Sequence, residues 1–142
     1  MVPQMNGNGT RALVGRLLQA TNDHDIEALV ACFAEEYRNE TPAHPARSFS
    51  GRSQVRRNWE QIFGFVADLH AEVLSSAIDG DRAWTEWEMT GTRRDGTPHR
   101  MRGVVIFDIG EGMARSARFY LEPVDEGPGT ADDAVRAQVA RR

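Results

Sequence analysis

The order of its helix-like and strand-like segments is the feature that most constrains how this chain can fold. Apolar residues recur at helical spacing through the first half and at every second position through much of the second half. A chain in which helices come first and are followed by strands joined by short turns is predicted to form an α+β domain. In such a domain a curved, mostly antiparallel sheet wraps around the three N-terminal helices and encloses a pocket. The helix-like stripes are Leu13, Val14, Leu17 and Leu18, then Ile26, Leu29, Val30 and Phe33, then Val55, Trp59, Ile62, Phe63 and Val66; the strand-like segments include 84–89, 103–107 and 117–121.

Capping and turn residues predict where these elements begin and end. Residues 1–9 are rich in Gly and Asn without an apolar period, which predicts a disordered start. Thr10, Asp25 and Ser53 are residue types that cap helices, and they precede the three apolar stripes. Turn sequences divide the second half into strands. We therefore expect a single domain over residues 10–123, followed by a tail over residues 124–142 whose end forms a weak terminal helix.

The bulk composition favours one globular domain and argues against several classes of partner. A chain of 142 residues is long enough to bury one core. Its formal net charge of −4 argues against nucleic acid. No stretch approaches the roughly 20 apolar residues that span a bilayer, and the first residues do not look like a signal peptide, so no membrane contact is expected. Cys32 is the only cysteine, so no disulfide can form within one chain, and we expect a cytoplasmic protein.

Alternation along the segment that contains Trp87 assigns its two faces. Thr85, Trp87 and Met89 share one face, whereas Glu86 and Glu88 share the other. Because an unpaired carboxylate is costly in an apolar interior, we expect the first face to point inward. The alternative reverses the faces and makes the two glutamates an acid and base pair inside the pocket.

Two large aromatic residues fall on the polar face of the predicted sheet. Trp84 and Tyr120 both lie among charged neighbours there. Aromatic residues are enriched at protein interfaces, although a single exposed one is common. We therefore expect a homodimer that uses this outer face.

The arrangement of the elements resembles a known family. The elements follow the order helix, helix, short strand, loop, helix and four strands, and the last strand ends in Arg118-Phe119-Tyr120-Leu121-Glu122. This order and this closing segment are similar to those of the nuclear transport factor 2-like superfamily. The resemblance covers residues 10–123 and points to the branches of the SnoaL-like polyketide cyclases, the ketosteroid isomerases and the limonene epoxide hydrolases. It implies a cone-shaped roll that dimerises through the outer face of its sheet and has an apolar pocket open at one end.

The resemblance also implies site residues in the segment between the second and third helices. Tyr37-Arg38-Asn39 looks like the Tyr-x-Asn pair that holds the attacking water in the epoxide hydrolases. In the isomerases a general base follows the second helix, and Glu40 is the closest acid in this chain. Desolvation in an apolar pocket would poise Glu40 to accept a proton, while Tyr37 and Asn39 would orient a water or a carbonyl oxygen. Alternatively, the backbone satisfies the polar groups of these two residues.

Five apolar side chains are candidates for contact with a hydrophobic ligand. They are Trp59, Phe63, Trp87, Met89 and Phe119. The same residues are equally compatible with a filled core, because aromatic stripes usually pack there.

Histidine offers one further candidate and no metal site. His44 stands in the loop expected at the mouth of the pocket, with a solvated histidine as the alternative. The four histidines match no metal-binding spacing, so no metal site is expected. No other cofactor is expected either, because acid and base chemistry of the implied kind needs none.

The sequence leaves three functions open. The first is an enzyme, an isomerase, cyclase or hydrolase that acts on a hydrophobic carbonyl or epoxide compound by acid and base chemistry. The second is a non-catalytic module for ligand binding or dimerisation, because Trp87, Met89 and Phe119 stand where the epoxide hydrolases carry charged residues. The third is an adaptor that binds another protein through the outer face around Trp84 and Tyr120.

Overall fold

The elements follow one another in the predicted order: two helices, a short strand, a loop, a third helix, four strands and a terminal helix. The structure is a computed structural model that describes residues 7–140, so most of the segment predicted to be disordered lies outside the described residues. The helices are α1 (Asn8–Asp23), α2 (Ile26–Ala31), α3 (Arg52–Phe65) and α4 (Ala131–Val139), and a 3₁₀ turn covers Pro45–Arg47. The strands are β1 (Phe33–Glu40), β2 (Phe49–Ser50), β3 (His70–Asp79), β4 (Arg82–Thr92), β5 (Pro98–Gly110) and β6 (Met113–Pro123).

The strands of residues 7–140 form one curved sheet in the order β2-β1-β6-β5-β4-β3. Neighbouring strands are antiparallel except β1 and β6, which run parallel. Tight turns connect each of the strands β3, β4, β5 and β6 to the next, as the Gly-containing turn sequences predict. α1 packs against β3 and β4, and α3 packs against β1. The predicted α+β class is confirmed.

The first helix is not capped as the sequence predicts. α1 begins at Asn8, behind Gly7, whereas Thr10 lies within its first turn. The Thr10 hydroxyl donates a hydrogen bond to the carbonyl oxygen of Gly80 at 2.8 Å and thereby fastens the helix to the turn between β3 and β4. The prediction that Thr10 is the cap is wrong, because a distant backbone acceptor takes its hydroxyl.

The second helix begins as predicted but ends early. The Asp25 carboxylate accepts a hydrogen bond from the backbone N–H of Ala28 at 3.0 Å, which confirms it as the cap. α2 stops at Ala31, and Phe33, predicted to continue its apolar stripe, opens β1. The backbone N–H of Ala114 donates to the carbonyl oxygen of Cys32 at 2.8 Å, so pairing with β6 draws the chain into the sheet at this point.

The inward face of β4 is the predicted one. Thr85, Trp87 and Met89 are buried at 1%, 2% and 8% exposure. The Trp87 indole donates to the Thr85 hydroxyl at 2.7 Å, and that hydroxyl donates to the carbonyl oxygen of Val105 at 2.7 Å. On the opposite face, Glu88 pairs with Arg100 at 3.1 Å. The alternative that places Glu86 and Glu88 inside is wrong.

The tail forms a short, exposed helix. The Thr130 hydroxyl accepts from the backbone N–H of Asp133, and the Asp133 carboxylate accepts from the N–H of Thr130, so α4 starts with a capping box. None of its residues is buried. No helix within residues 7–140 is long and apolar enough to cross a membrane.

One glycine inside β5 permits two strands to approach closely. Gly103 has a φ of 154° and lies directly opposite Leu121 in β6. A Cβ atom at this position would overlap the carbonyl oxygen of Tyr120. A glycine inside a strand commonly marks such an approach of backbone to backbone.

Substituting Gly103 therefore tests the packing of the sheet. We expect Gly103→Ala to lower the free energy of unfolding by about 2–4 kcal/mol, because the new methyl group forces β5 and β6 apart. Gly15→Ala is the matched control: Gly15 lies in α1 with no atom near its would-be Cβ, so the same change should stabilise the protein by about 0.5–1 kcal/mol. Urea denaturation measures both values, and equal effects at the two positions would contradict the close approach.

Candidate functional site

A cavity of about 410 Å³ lies between α3 and the sheet. Its volume falls within the range of small-molecule sites, which is roughly 300–1,000 Å³. Most of its wall is apolar and comes from β1, α3, β5 and β6. The apolar wall residues are Phe33, Phe49, Val55, Trp59, Ile62, Met89, Met101, Phe119, Leu121 and Pro123.

The deep end of this cavity is closed by the core. A second space of only about 20 Å³ shares Trp59, Met89 and Phe119 with the cavity and is bounded further in by Trp87. The structure thus places three of the five predicted apolar contacts on the cavity wall. Trp87 lies one layer deeper, where its indole is hydrogen-bonded to Thr85.

Phe63 is not on the cavity wall, and the expectation that it contacts a ligand there is not supported by its position. Its ring stacks on His24 with centroids 4.6 Å apart and touches Trp59 at 5.5 Å. His24 ends α1 and its ring nitrogen contacts the carbonyl oxygen of Leu69 at 2.8 Å. Phe63 therefore joins α3 to the end of α1, away from the cavity.

A pair of polar side chains from β1 faces the cavity. Tyr37 and Asn39 stand two positions apart on the same face of the strand, at 1% and 7% exposure. The Tyr37 hydroxyl donates to the Asn39 carbonyl oxygen Oδ1 at 2.8 Å. The Asn39 amide nitrogen Nδ2 reaches the Thr41 hydroxyl only at 3.4 Å. Burial raises the pKa of Tyr37 far above its usual range, so this hydroxyl stays protonated and acts as a donor.

Glu40 does not share this environment. It is exposed on β1 and does not line the cavity. Successive residues of a strand point to opposite faces, so the inward position of Asn39 turns Glu40 away. The expectation that Glu40 lies in an apolar pocket is wrong.

The mouth of the cavity carries a carboxylate that pairs with His44. Glu122, near the end of β6, lines the cavity together with Arg47. His44 Nε2 lies 2.6 Å from Glu122 Oε1, and Arg47 Nη1 lies 3.8 Å from Glu122 Oε2. His44 is thus a partner of Glu122, but it does not itself line the cavity. Sequence reasoning missed Glu122, because alternation along a strand puts it on the same face as Tyr120, the predicted outer face.

A histidine of β5 lines the cavity itself, and sequence reasoning missed it as well. His99 of β5 contributes to this wall and to a neighbouring surface groove beside Phe65. Burial, and secondarily the positive charge of Arg93, lower the pKa of His99 below its usual value, which favours a neutral imidazole. Among residues 7–140, no three His, Cys, Asp or Glu side chains are placed to share a metal ion.

The chain is similar to a known domain family and to several solved structures. A family model described as a SnoaL-like domain matches residues 14–117. A candidate ketosteroid isomerase from Kribbella flavida is 23% identical, the match covers 94% of this chain and 89% of that one, and the TM-score is 0.67. A candidate SnoaL-like polyketide cyclase from a Jannaschia species is 15% identical, the match covers 85% of this chain and 90% of that one, and the TM-score is 0.70. The candidate hydroxylase AclR from Streptomyces galilaeus is 17% identical, the match covers 79% of this chain and 87% of that one, and the TM-score is 0.69. No curated protein matches significantly. At these identities the solved structures show the shared fold alone.

Removing one hydroxyl tests the polar pair in the cavity wall. Tyr37→Phe takes away the donor to Asn39 Oδ1 in a buried place, so the free energy of unfolding should fall by about 1–2 kcal/mol. Tyr120→Phe is the matched control, because Tyr120 is 42% exposed and its change should stay within about 0.5 kcal/mol. Urea denaturation of both variants decides the point, and a neutral Tyr37→Phe would show that the pair does not contribute to stability.

Proposed function

This chain belongs to the SnoaL-like family within the nuclear transport factor 2-like superfamily, and on that premise we propose that it is an enzyme which binds a hydrophobic carbonyl or epoxide compound and acts on it by proton transfer. The family and the fold support a small-molecule pocket protein. The reaction and the substrate class are the proposed part. Proton transfer of this kind requires no cofactor.

The observation that carries the proposal is the buried Tyr37 and Asn39 pair in an otherwise mainly apolar wall. Ligand sites typically combine an apolar surface with a few fixed polar groups that orient the ligand. Here the apolar wall residues, among them Trp59, Met89 and Phe119, would contact the carbon skeleton. The polar pair would bind the one oxygen atom that the skeleton carries.

The two polar side chains offer unequal hydrogen bonds to a ligand. The Tyr37 hydroxyl already donates to Asn39 at 2.8 Å. Among residues 7–140, the Asn39 amide nitrogen has only the long contact of 3.4 Å with Thr41, which is near the limit for a hydrogen bond. Asn39 can therefore donate this N–H to a carbonyl oxygen, an epoxide oxygen or a bound water in place of Thr41 at little cost, while Tyr37 holds the amide in its orientation.

A non-catalytic binding module is the second candidate. Trp87, Met89 and Phe119 occupy positions that resemble those of charged catalytic residues in the epoxide hydrolases, and all three are apolar here. A module of this kind would bind the same hydrophobic compounds in the same cavity. The two candidates differ in turnover, because only the enzyme changes the bound compound.

The outer face of the sheet supports a homodimer as part of the proposal. Trp84 is 45% exposed and Tyr120 is 42% exposed on the strands β4 and β6. Arg102 of β5 lies within 4.0 Å of Glu86 and 3.9 Å of Glu88 on this face. Exposed aromatic residues beside neutralised charges are what a self-complementary interface needs.

Ligand binding tests the proposed function. Saturating hydrophobic cyclic ketones or epoxides should raise the melting temperature of the protein, because they bind only the folded state. Asn39→Ala should weaken this binding by about 3- to 10-fold, which corresponds to the loss of one hydrogen bond. Glu40→Gln, the neighbouring exposed position, is the control and should bind as the wild type does. A chain that binds no ketone or epoxide, or that binds them equally without Asn39, would overturn the proposal.

Sedimentation tests the homodimer. The wild type should sediment as a dimer at micromolar concentration, and Trp84→Ser should shift it toward the monomer, because it removes a large apolar group from the centre of the outer face. Val135→Ser is the control, since Val135 is 56% exposed on α4 and lies outside this face. A wild-type monomer at these concentrations would contradict the dimer.

A further inference from the structure

We infer that the ligand of this cavity is a hydrophobic carboxylic acid, whose carboxylate Arg93 and Arg94 bind in the surface groove beside Phe65. The inference rests on the proposed function, since it adds a charged group to the ligand class suggested above. Three features of the structure support it: the continuity of the groove with the cavity, the placement of the two arginines and the balance of charge around them.

The groove and the cavity are successive parts of one gap between α3 and the sheet. The groove has a volume of about 460 Å³, and Ile62 and His99 line both spaces. On the helix side, the cavity wall includes Trp59 and Ile62. The groove wall continues from Ile62 to Phe65 and Val66, at the end of the same helix. A ligand that fills the cavity therefore has only two side chains to pass before it reaches the groove.

The inward face of β4 becomes charged where the strand reaches this groove. Met89, Gly91 and Arg93 alternate onto one face. The backbone pairing of β4 with β5 continues as far as Arg93, whose N–H donates to the carbonyl oxygen of Thr97 at 2.9 Å. Met89 is buried in the core, whereas Arg93 is exposed and lines the groove. The gap thus has an apolar deep end and a cationic outer end.

Neutral groups hold the two arginines in place. Arg94 Nε donates to the carbonyl oxygen of Gly64 at 3.0 Å, and the Arg94 guanidinium lies 4.6 Å from the centre of the Phe65 ring. Arg93 Nη1 makes a long contact of 3.3 Å with Thr97 Oγ1. Among residues 7–140, neither guanidinium has a carboxylate oxygen within 4.0 Å. An anion that enters the groove would therefore meet charged donors that are not already ion-paired.

The net charge of the groove matches a single carboxylate. Arg93 and Arg94 are positive, and Asp95 on the same wall is negative. Asp95 is ionised, because hydrogen bonds from the hydroxyl and the backbone N–H of Thr97, at 2.6 Å and 3.0 Å, lower its pKa. His99 favours its neutral form, since burial first and the charge of Arg93 second lower its pKa. The wall therefore has an excess of one positive charge, which a monoanion neutralises.

Arg47, which also lines the cavity, does not offer an equivalent site. Its Nη1 lies 3.8 Å from Glu122 Oε2. A carboxylate that approached Arg47 would also meet the negative charge of Glu122, so attraction and repulsion would largely cancel. The turn between β4 and β5 carries two arginines against one acid, and it is the place where a carboxylate gains more.

A matched pair of ligands tests the charged group. The probes are a cyclic ketone that carries a propionate side chain and the methyl ester of the same compound, which has no charge. We expect the acid to bind about 5-fold more tightly than the ester at low salt, as one partly exposed charged contact gives. This preference should shrink at about 1 M salt, because exposed charges are screened. Isothermal titration calorimetry measures both dissociation constants.

Substitutions that remove one charge locate the contact. Arg93→Gln should weaken binding of the acid by about 3- to 5-fold and leave binding of the ester nearly unchanged, and Arg94→Gln should reduce the preference as well. Arg93→Lys keeps the charge and should retain part of the preference. Arg11→Gln is the matched control. Arg11 is exposed in the first turn of α1, which contacts Gly80 at the other end of β4.

His99 gives a second readout that needs no substitution. Because His99 lines the groove together with Arg93, a carboxylate bound there would favour the imidazolium form. We expect the acid to raise the pKa of His99 in an NMR titration, and the ester to leave it unchanged.

The outcomes separate this inference from the proposed function. Equal binding of the acid and the ester overturns the inference and leaves the ligand class standing. A preference for the acid that persists in Arg93→Gln and Arg94→Gln but is lost in Arg47→Gln overturns it as well, and so does an equal loss in Arg11→Gln. Absence of binding by both probes and by neutral ketones and epoxides overturns the proposed function, and the inference with it.

Discussion

The parallel pairing of β1 with β6 is the constraint on which the candidate site depends. These strands lie far apart in the sequence, and their register sets Asn39 beside Ala117 and Glu40 beside Arg118. This register brings the inward face of β1, which carries Tyr37 and Asn39, next to the apolar face of β6. It also carries the loop after β1 to the end of β6, where His44 meets Glu122. Without this pairing, the site residues of β1 and those of β6 would not line one cavity.

Alternation allowed the sequence to predict the faces of the strands within the sheet but not the position of every polar residue at their ends. The inward face of β4 follows directly from its apolar phase, because a period of two holds along a regular strand. The same rule excludes Glu40 once Asn39 is known to face inward, so this error was avoidable from the sequence. Glu122 is different: its contact with His44 depends on where a distant loop lies, and no local pattern contains that information.

The boundaries of the helices show the same limit. Asp25 was predictable as a cap, because its hydrogen bond to Ala28 is local. Phe33 fits a helical stripe and a strand equally well, and only pairing with β6 decides between them. Thr10 is a competent cap by residue type, yet its hydroxyl binds Gly80 in the turn between β3 and β4. Local chemistry therefore predicted the elements, and tertiary partners determined their ends.

The apolar residues at the deep end of the cavity determine how a ligand can be oriented. Trp87, Met89 and Phe119 offer no charge there, and an ionised group among them would pay a large desolvation cost. Arg47, His99 and Glu122 lie instead on the larger, more open cavity and do not border the deep end. A hydrophobic compound would therefore enter with its carbon skeleton first and keep its polar group in the larger, more open part of the cavity, where the polar wall residues lie.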